Sequence, residues 1–365
     1  MMKSEINNFN TINTQTKVRR MAYIKMIIAM FNKSDYYPSS LFNKKVELEA
    51  QKYNDDLLKY SNSRGIIKIT QRGNSSKPYI ETTLALKLLF TQNNMYKLSK
   101  YGKLFNVLDN ELNIITDNYF QLLDYQKSFI LFFILEKDGL YLQLLIDLIF
   151  HKKQTTIKEL KEVFQKYLIE QLQSNIDNPN IPNKLKNEII LKMRRVQNWE
   201  NPQRYLEHII EPRVNWLLDL DILDRDDFIK NRLLLSKQGL VIVNKLNSSF
   251  DICTDFFNLI NQMYLTNTIG IDENNFELID NYIDKSFFLF KTIAPNRVTA
   301  SQAILYTCYM MLFKERIIVN FCTIKNYLSS KDNTKFIFDW YKTEQDGSIR
   351  RKNDLRDFRI KRESI

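Results

Sequence analysis

The chain has 365 residues, of which 44% are hydrophobic and 13% aromatic, and a formal charge of +11 at pH 7. That length and apolar content exclude a purely disordered tail and suffice for two or three folded domains. The cationic excess favours a polyanionic partner, DNA, RNA or an anionic surface, without choosing among them.

From the N-terminus, the polar, Asn/Thr-rich residues 1–16 read as a disordered leader. "KVRRMAYIKMIIAMF" has the basic-then-apolar order of a signal peptide, but a polar leader precedes it, Lys25 interrupts it and no small-residue cleavage site follows. It is predicted to be an amphipathic core helix. Only seven Gly and seven Pro occur, and stretches such as "TIKELKEVFQKYLIEQL" repeat apolar residues every three or four positions, so the fold class is mainly α. "QSNIDNPNIPNK" breaks that spacing, which places a linker at 173–184 between helical halves at 17–172 and 185–365. The strongest apolar runs, "SFILFFILE" and "ILYTCYMMLF", fall short of the ~20 residues needed to span a bilayer. Cys253, Cys308 and Cys322 are odd in number, widely spaced and without a C-x-x-C pair, which points away from a disulfide framework or zinc site. A cytoplasmic location without membrane association is expected.

Two segments echo one another. "KPYIETTLALKLLFTQNNMYKLSKYG" and "EPRVNWLLDLDILDRDDFIKNRLLLSKQG" share a charged residue before Pro, an apolar helix, a polar turn, an apolar strand and Leu-Ser-Lys-x-Gly. Pro78 and Pro212 are 134 apart and Gly102 and Gly239 are 137 apart, so the second copy carries three extra residues in its turn. Asn74, Ser75 or Ser76 is positioned to cap the first helix, with Pro78 in its first turn; "MYKLS" alternates as a half-buried strand, and Ser99 is placed to cap the next helix.

With "GIIKIT" before the helix and "YKLSKYGKLF" after it, the unit resembles the winged-helix segments of bacterial restriction and anti-phage defence proteins. The resemblance implies tandem winged helices, helix-turn-helix units with a small β-hairpin, at about 45–108 and about 200–246. A third candidate at about 298–352 has two helices and a hairpin, "KFIFDWYKTEQDGSIRRK", turning at Asp346-Gly347.

Charge separates the two copies. Residues 64–103 hold eight cations against the single acid Glu81, a balance of +7, whereas residues 204–239 hold six cations against seven acids, a balance of −1. The first is therefore the predicted DNA-binding copy, with Arg64, Lys68, Arg72, Asn74, Ser75, Ser76, Lys77 and Tyr79 at base edges or phosphates, and Lys97, Lys100 and Lys103 on the flanking backbone. A solvated basic face on an interaction domain is the alternative. The second copy, with "DLDILDRDD", reads as a protein-facing or scaffold surface. In the tail "IRRKNDLRDFRIKRE", a helix would set Arg350, Arg351, Lys352 and Arg356 toward phosphate, or pair them internally.

No catalytic motif stands out. His151 and His208 lack partners at ligand spacing, and there is no phosphate loop, nucleophile elbow or dinucleotide fingerprint. Asp35, Glu47, Glu49 and Lys52, or Glu277, Asp280 and Lys285, are the carboxylate-lysine groups from which a Mg²⁺ nuclease site would be built, although both stretches read better as amphipathic helices. No cofactor is implied unless the chain is such a nuclease. The expected function is double-stranded DNA binding as the recognition component of a restriction or defence system, with the second copy contacting a protein partner or the chain itself. The alternatives are a type II restriction endonuclease, a transcription or replication regulator, and a protein-binding winged-helix scaffold.

Overall fold

The computed structural model describes residues 8–61, 65–112, 114, 116–247, 250–272, 275–290, 297–341, 343 and 346–352. Among these the chain is mainly helical, with fifteen α-helices and eight short strands. It forms two compact units: the chain up to Ser99 with 116–250, and Lys100–Ile114 with the chain from Asp251 onward. No helix among the described residues is long and apolar enough to cross a membrane.

In the first unit, α1 (Ala22–Ala29) is buried around almost its whole circumference, Lys25 included. The Lys25 ammonium sits 4.3 Å from the centre of the Tyr119 ring, which offsets part of its desolvation. A short 3₁₀ turn leads to β1 (Tyr36–Pro38), α2 (Ser39–Gln51), α3 (Asn54–Ser61), α4 (Lys77–Ala85), β2 (Leu89–Gln92) and β3 (Met95–Leu98). The strands form an antiparallel sheet in the order β1-β3-β2, with Tyr37 opposite Tyr96 and Leu89 opposite Leu98. Residues 66–70 of "GIIKIT" are irregular, and the first strand comes from Tyr36–Pro38 instead. The next helix, α5 (Lys100–Leu112), belongs to the second unit.

The first unit continues with α6 (Asp124–Lys152), α7 (Ile157–Asp177), α8 (Asn183–Gln197), α9 (Pro202–Asp219), α10 (Arg225–Ile229) and α11 (Lys237–Leu246). Here the echo seen in the sequence is reproduced in the bonds of the turn that follows the helix. Lys87 and Asp221 both take positive φ, 61° and 55°. The amide of Leu88 donates to the Thr83 carbonyl, and that of Ile222 to the Leu217 carbonyl. Ser99 and Ser236 each donate their hydroxyl back, to the carbonyls of Lys87 and Asp221. The Leu89–Leu98 pair recurs as an isolated bridge between Leu223 and Leu235, and Thr155 bridges Leu233. The second copy thus keeps the order of the first with its strands reduced to bridges, and α10 fills the longer turn. Gly239 is fixed by this arrangement, because a Cβ there would lie 2.2 Å from the Ile222 carbonyl oxygen.

The second unit contains, after α5, α12 (Ile252–Tyr264), β4 (Ile269–Gly270), α13 (Phe276–Leu289), β5 (Arg297–Thr299), α14 (Ala300–Phe313), β6 (Ile317–Ile318), α15 (Phe321–Ser329), β7 (Phe336–Tyr341) and β8 (Asp346–Arg351). Helix α14 is its core, buried from Ala300 to Leu312. Its antiparallel sheet has the order β5-β8-β7, the same strand order as the first sheet, and β4 pairs in parallel with β6. The hairpin expected near the C-terminus is present, but Asp346 already pairs with Tyr341, so the chain reverses before Asp346-Gly347.

Two organisational expectations are corrected. Residues 173–184 run from the end of α7 into the start of α8, inside the first unit, so no boundary between units lies there. Residues 8–16 of the expected leader are packed rather than loose. Helix α6 kinks at Asp138 (φ −136°, ψ 22°), and the Asn8 side chain donates to the carbonyls of Leu135 and Glu136 at the kink, the Leu140 amide to the carbonyl of Asn10.

At that kink the Arg213 guanidinium grips the Asp138 carboxylate through two bonds of 2.6 and 2.7 Å, with both side chains fully buried. Arg213 also donates to the carbonyls of Ile209 and Ile12, and the Ile12 amide donates to Asp138. Arg213→Met should lose about 3–5 kcal/mol in urea unfolding, because it strands a buried carboxylate. Pairing it with Asp138→Leu should recover much of that loss.

Candidate nucleic-acid interface

The basic stretch predicted to bind DNA is organised by one acid, Glu47 of α2, which is 1% exposed. Its carboxylate accepts from the Thr70 amide (2.7 Å) and hydroxyl (2.9 Å), the Ser75 amide (2.8 Å) and the Ser76 amide (3.3 Å). The loop 65–76 is closed further by the Lys68 amide on the Ser75 hydroxyl and the Asn74 amide on the Thr70 hydroxyl. Gly73 (φ 71°) is required where the loop crosses α2, since a Cβ would lie 2.5 Å from that of Asn43. The N–H groups just ahead of α4 therefore already hold an anion, the protein's own carboxylate, at the place where a phosphate was expected.

Several predicted contact residues are structural. Tyr79 is buried, donates its hydroxyl to the Gly65 carbonyl and accepts from the Arg19 amide. Burial pushes its phenol well above the usual range, so it stays neutral. Ser76 is buried at the start of α4 but caps nothing with its side chain; its hydroxyl donates to the carbonyls of Asn43 and Gly73. Lys97 donates to Gln92 across the β2–β3 hairpin. Lys100 lies in the second unit and pairs with Asp346. Burial opposes its charge, but the neighbouring Tyr101 and Asp346 outweigh burial and hold its pKa above the usual lysine value. Lys103 is exposed on α5, also in the second unit.

Arg350 and Arg351 stand on β8 and Lys352 at its end, not on a helix. Arg350 pairs with Asp339 at 2.8 Å, Arg351 with Asp284 at 2.6 Å, and the Lys352 ammonium donates to the Asn333 carbonyl. Arg64 and Arg356 lie outside the described residues.

What the fold does assemble is a set of cations around the 65–76 loop. Lys68, Arg72 and Lys77 are exposed there with Asn74. Lys17, ahead of α1, and Lys44, on α2 beside Gly73, are exposed too. Among the described residues Lys17, Lys44, Lys68 and Arg72 form no ion pair, and Lys77 has only a 3.8 Å approach to Glu81. A cleft of about 410 Å³ opens beside them, lined by Lys17 and Lys68 of this set with Arg19, Thr70, Asn74 and Ser75 among others, and none of its described lining residues is an acid. Lys17 and Lys44 escaped sequence reasoning because they come from segments outside the basic stretch.

Most acids of the second copy are paired or capping inside the first unit, while Glu207 and Asp226 are exposed. Asp219 is buried and accepts from Arg20 at 2.9 Å and from the Met21 amide at 2.8 Å, fastening α9 to the start of α1. Asp221 pairs with Lys127, Asp227 with Arg232, and Asp224 caps α10. Of the candidate nuclease groups, Asp35 and Glu277 are exposed, and the others are engaged. Glu49 pairs with Lys52 and Lys33, Asp280 accepts from Tyr327 and pairs with Lys335, and Lys285 pairs with Glu111. Among the described residues no cluster of three His, Cys, Asp or Glu side chains is arranged to hold a metal. Sequence separation hid one proximity: burial and the neighbouring Cys322 push the Cys253 thiol up to about 12.

Glu47→Ala should free the loop while leaving its cations in place. Hydrogen exchange at the Thr70, Ser75 and Ser76 amides should then speed up by roughly tenfold or more, the equivalent of losing ~1.4 kcal/mol of local protection. The chain matches no protein-family model, no curated protein and no solved structure.

Proposed function

We propose that the first unit binds double-stranded DNA, with the 65–76 loop and its acid-free cleft seated on the phosphate backbone. The observation that carries this reading is the grouping of Lys17, Lys44, Lys68 and Arg72 about one loop, none of them ion-paired among the described residues. Exposed like charges set close together are a cost that a bound polyanion would relieve.

We infer further that the first copy is a winged helix and that the chain uses this unit in tandem. The reading is supported by the order helix, strand, helices, hairpin and by the β1-β3-β2 sheet, which recurs as β5-β8-β7 and, in bridges, at Thr155, Leu223 and Leu233–Leu235. In this arrangement α4 would be the helix offered to the groove. Its exposed positions are Lys77 and Glu81, so base reading by α4 would be sparse and affinity dominated by phosphate contacts. The hairpin tip, with Asn93 and Asn94 exposed at positive φ (51° and 57°), supplies polar groups to the flanking backbone. The resemblance to restriction and defence proteins extends the proposal to DNA recognition within such a system.

The test is titration of a labelled duplex at several salt concentrations. Replacing Lys17, Lys68 and Arg72 together by Ala should flatten the log-log salt slope by ~0.9 for each phosphate that is no longer neutralised, while Lys100→Ala leaves it unchanged. Salt-insensitive binding, or a slope that the triple replacement does not move, would sink the proposal.

A further inference from the structure

A second basic surface lies in the first unit, away from the stretch that dominates the sequence charge. Helix α8 buries only Ile189 and Val196 fully, against α7, and turns most of its remaining surface outward. Its Lys184, Arg194 and Arg195 are exposed and Lys186 is half-buried; among the described residues none of the four is ion-paired. Lys192 is spent differently, on the carbonyl of Phe9 and the hydroxyl of Thr11. At the turn into α9 the exposed Arg204 follows, and there the Trp199 and Tyr205 rings stack at 5.1 Å with planes 16° apart. Tyr205 remains 47% exposed. The acids on this face are Glu188, Glu200 and Glu207, all exposed.

The exposed cations Lys184, Arg194, Arg195 and Arg204 are spread over some 20 residues; Arg194 and Arg195 precede the aromatic pair and Arg204 directly precedes Tyr205. Cations that follow a backbone beside an open ring face are what an unpaired strand requires. Phosphates are held by Lys and Arg, and a base, exposed only when it is not in a duplex, stacks on the ring. A duplex hides its base faces and leaves Tyr205 nothing to stack on. An anionic membrane surface would also use the cations, but insertion needs a continuous apolar face, and Leu191 alone of the large hydrophobic side chains of α8 is exposed.

We propose that α8 and the start of α9 form a binding face for single-stranded nucleic acid, with Lys184, Arg194, Arg195 and Arg204 on phosphates and a base stacked on the Trp199–Tyr205 pair. This site is separate from the 65–76 loop and does not depend on the duplex-binding reading.

The experiment titrates the full chain with a labelled oligothymidylate, following anisotropy and tryptophan fluorescence, with heparin and phosphatidylserine vesicles as comparison polyanions. Oligothymidylate should bind with a log-log salt slope of ~−0.7 for each phosphate neutralised. Arg194→Glu with Arg195→Glu should weaken binding by about tenfold or more and reduce that slope. Tyr205→Ala should weaken oligothymidylate by at least about fivefold with little change in slope, and leave heparin unaffected. The Lys17, Lys68 and Arg72 triple replacement should leave oligothymidylate binding intact, so failure of the duplex site and failure of this one are distinguishable. Three results would overturn the proposal: no oligothymidylate binding, equal loss of heparin and oligothymidylate in Tyr205→Ala, or loss of the single strand only in the 65–76 triple replacement. Tighter binding to the vesicles than to oligothymidylate would overturn it as well.

Discussion

The buried pair of Arg213 and Asp138 is the constraint around which the first unit is arranged. Removing two charges from water is repaid only when every remaining donor and acceptor is met, and here the carbonyls of Ile12 and Ile209 and the Ile12 amide complete the set. The guanidinium also lies over the rings of Tyr141 and Trp216. One interaction therefore fixes the kink of α6, the seating of α9 and the path of residues 8–12. The second buried pair, Arg20 with Asp219, follows from it, since it can close only when α9 is already in place beside the start of α1.

The repeated unit is used twice with different chemistry. The hydrogen bonds that define its helix-to-hairpin turn recur at Lys87 and Asp221, with the same carbonyl accepting from Ser99 and Ser236. Those bonds are made by backbone and serine, so they place no demand on surface charge. The first copy is free to expose cations at its loop. The second spends Asp219, Asp221 and Asp227 on Arg20, Lys127 and Arg232, so much of its negative charge holds the unit together.

Glu47 changes how the first copy meets an anion. An open helix N-terminus would offer N–H groups to a phosphate, but the loop ahead of α4 needs the same groups to hold its shape, and a buried carboxylate supplies that without a ligand. For the proposed polyanionic partner what is left is the side-chain charge of Lys17, Lys44, Lys68 and Arg72, which would make binding depend on position and salt more than on a shaped pocket.

By itself the sequence determined the helical class, the echo at offsets of 134 and 137, the hairpin near the C-terminus and the location of the charge excess. All of these are properties of local spacing, of residues within a turn or a strand of each other, which composition and periodicity record directly. It did not determine which polar groups remain available. Tyr79, Ser76 and Lys100 looked like contact residues and are occupied by Gly65, Asn43 and Asp346, while Lys17, Lys44 and the α8–α9 face looked ordinary and are open. Only the tertiary structure decided that, because a polar group's availability depends on partners that chain folding brings from tens or hundreds of residues away.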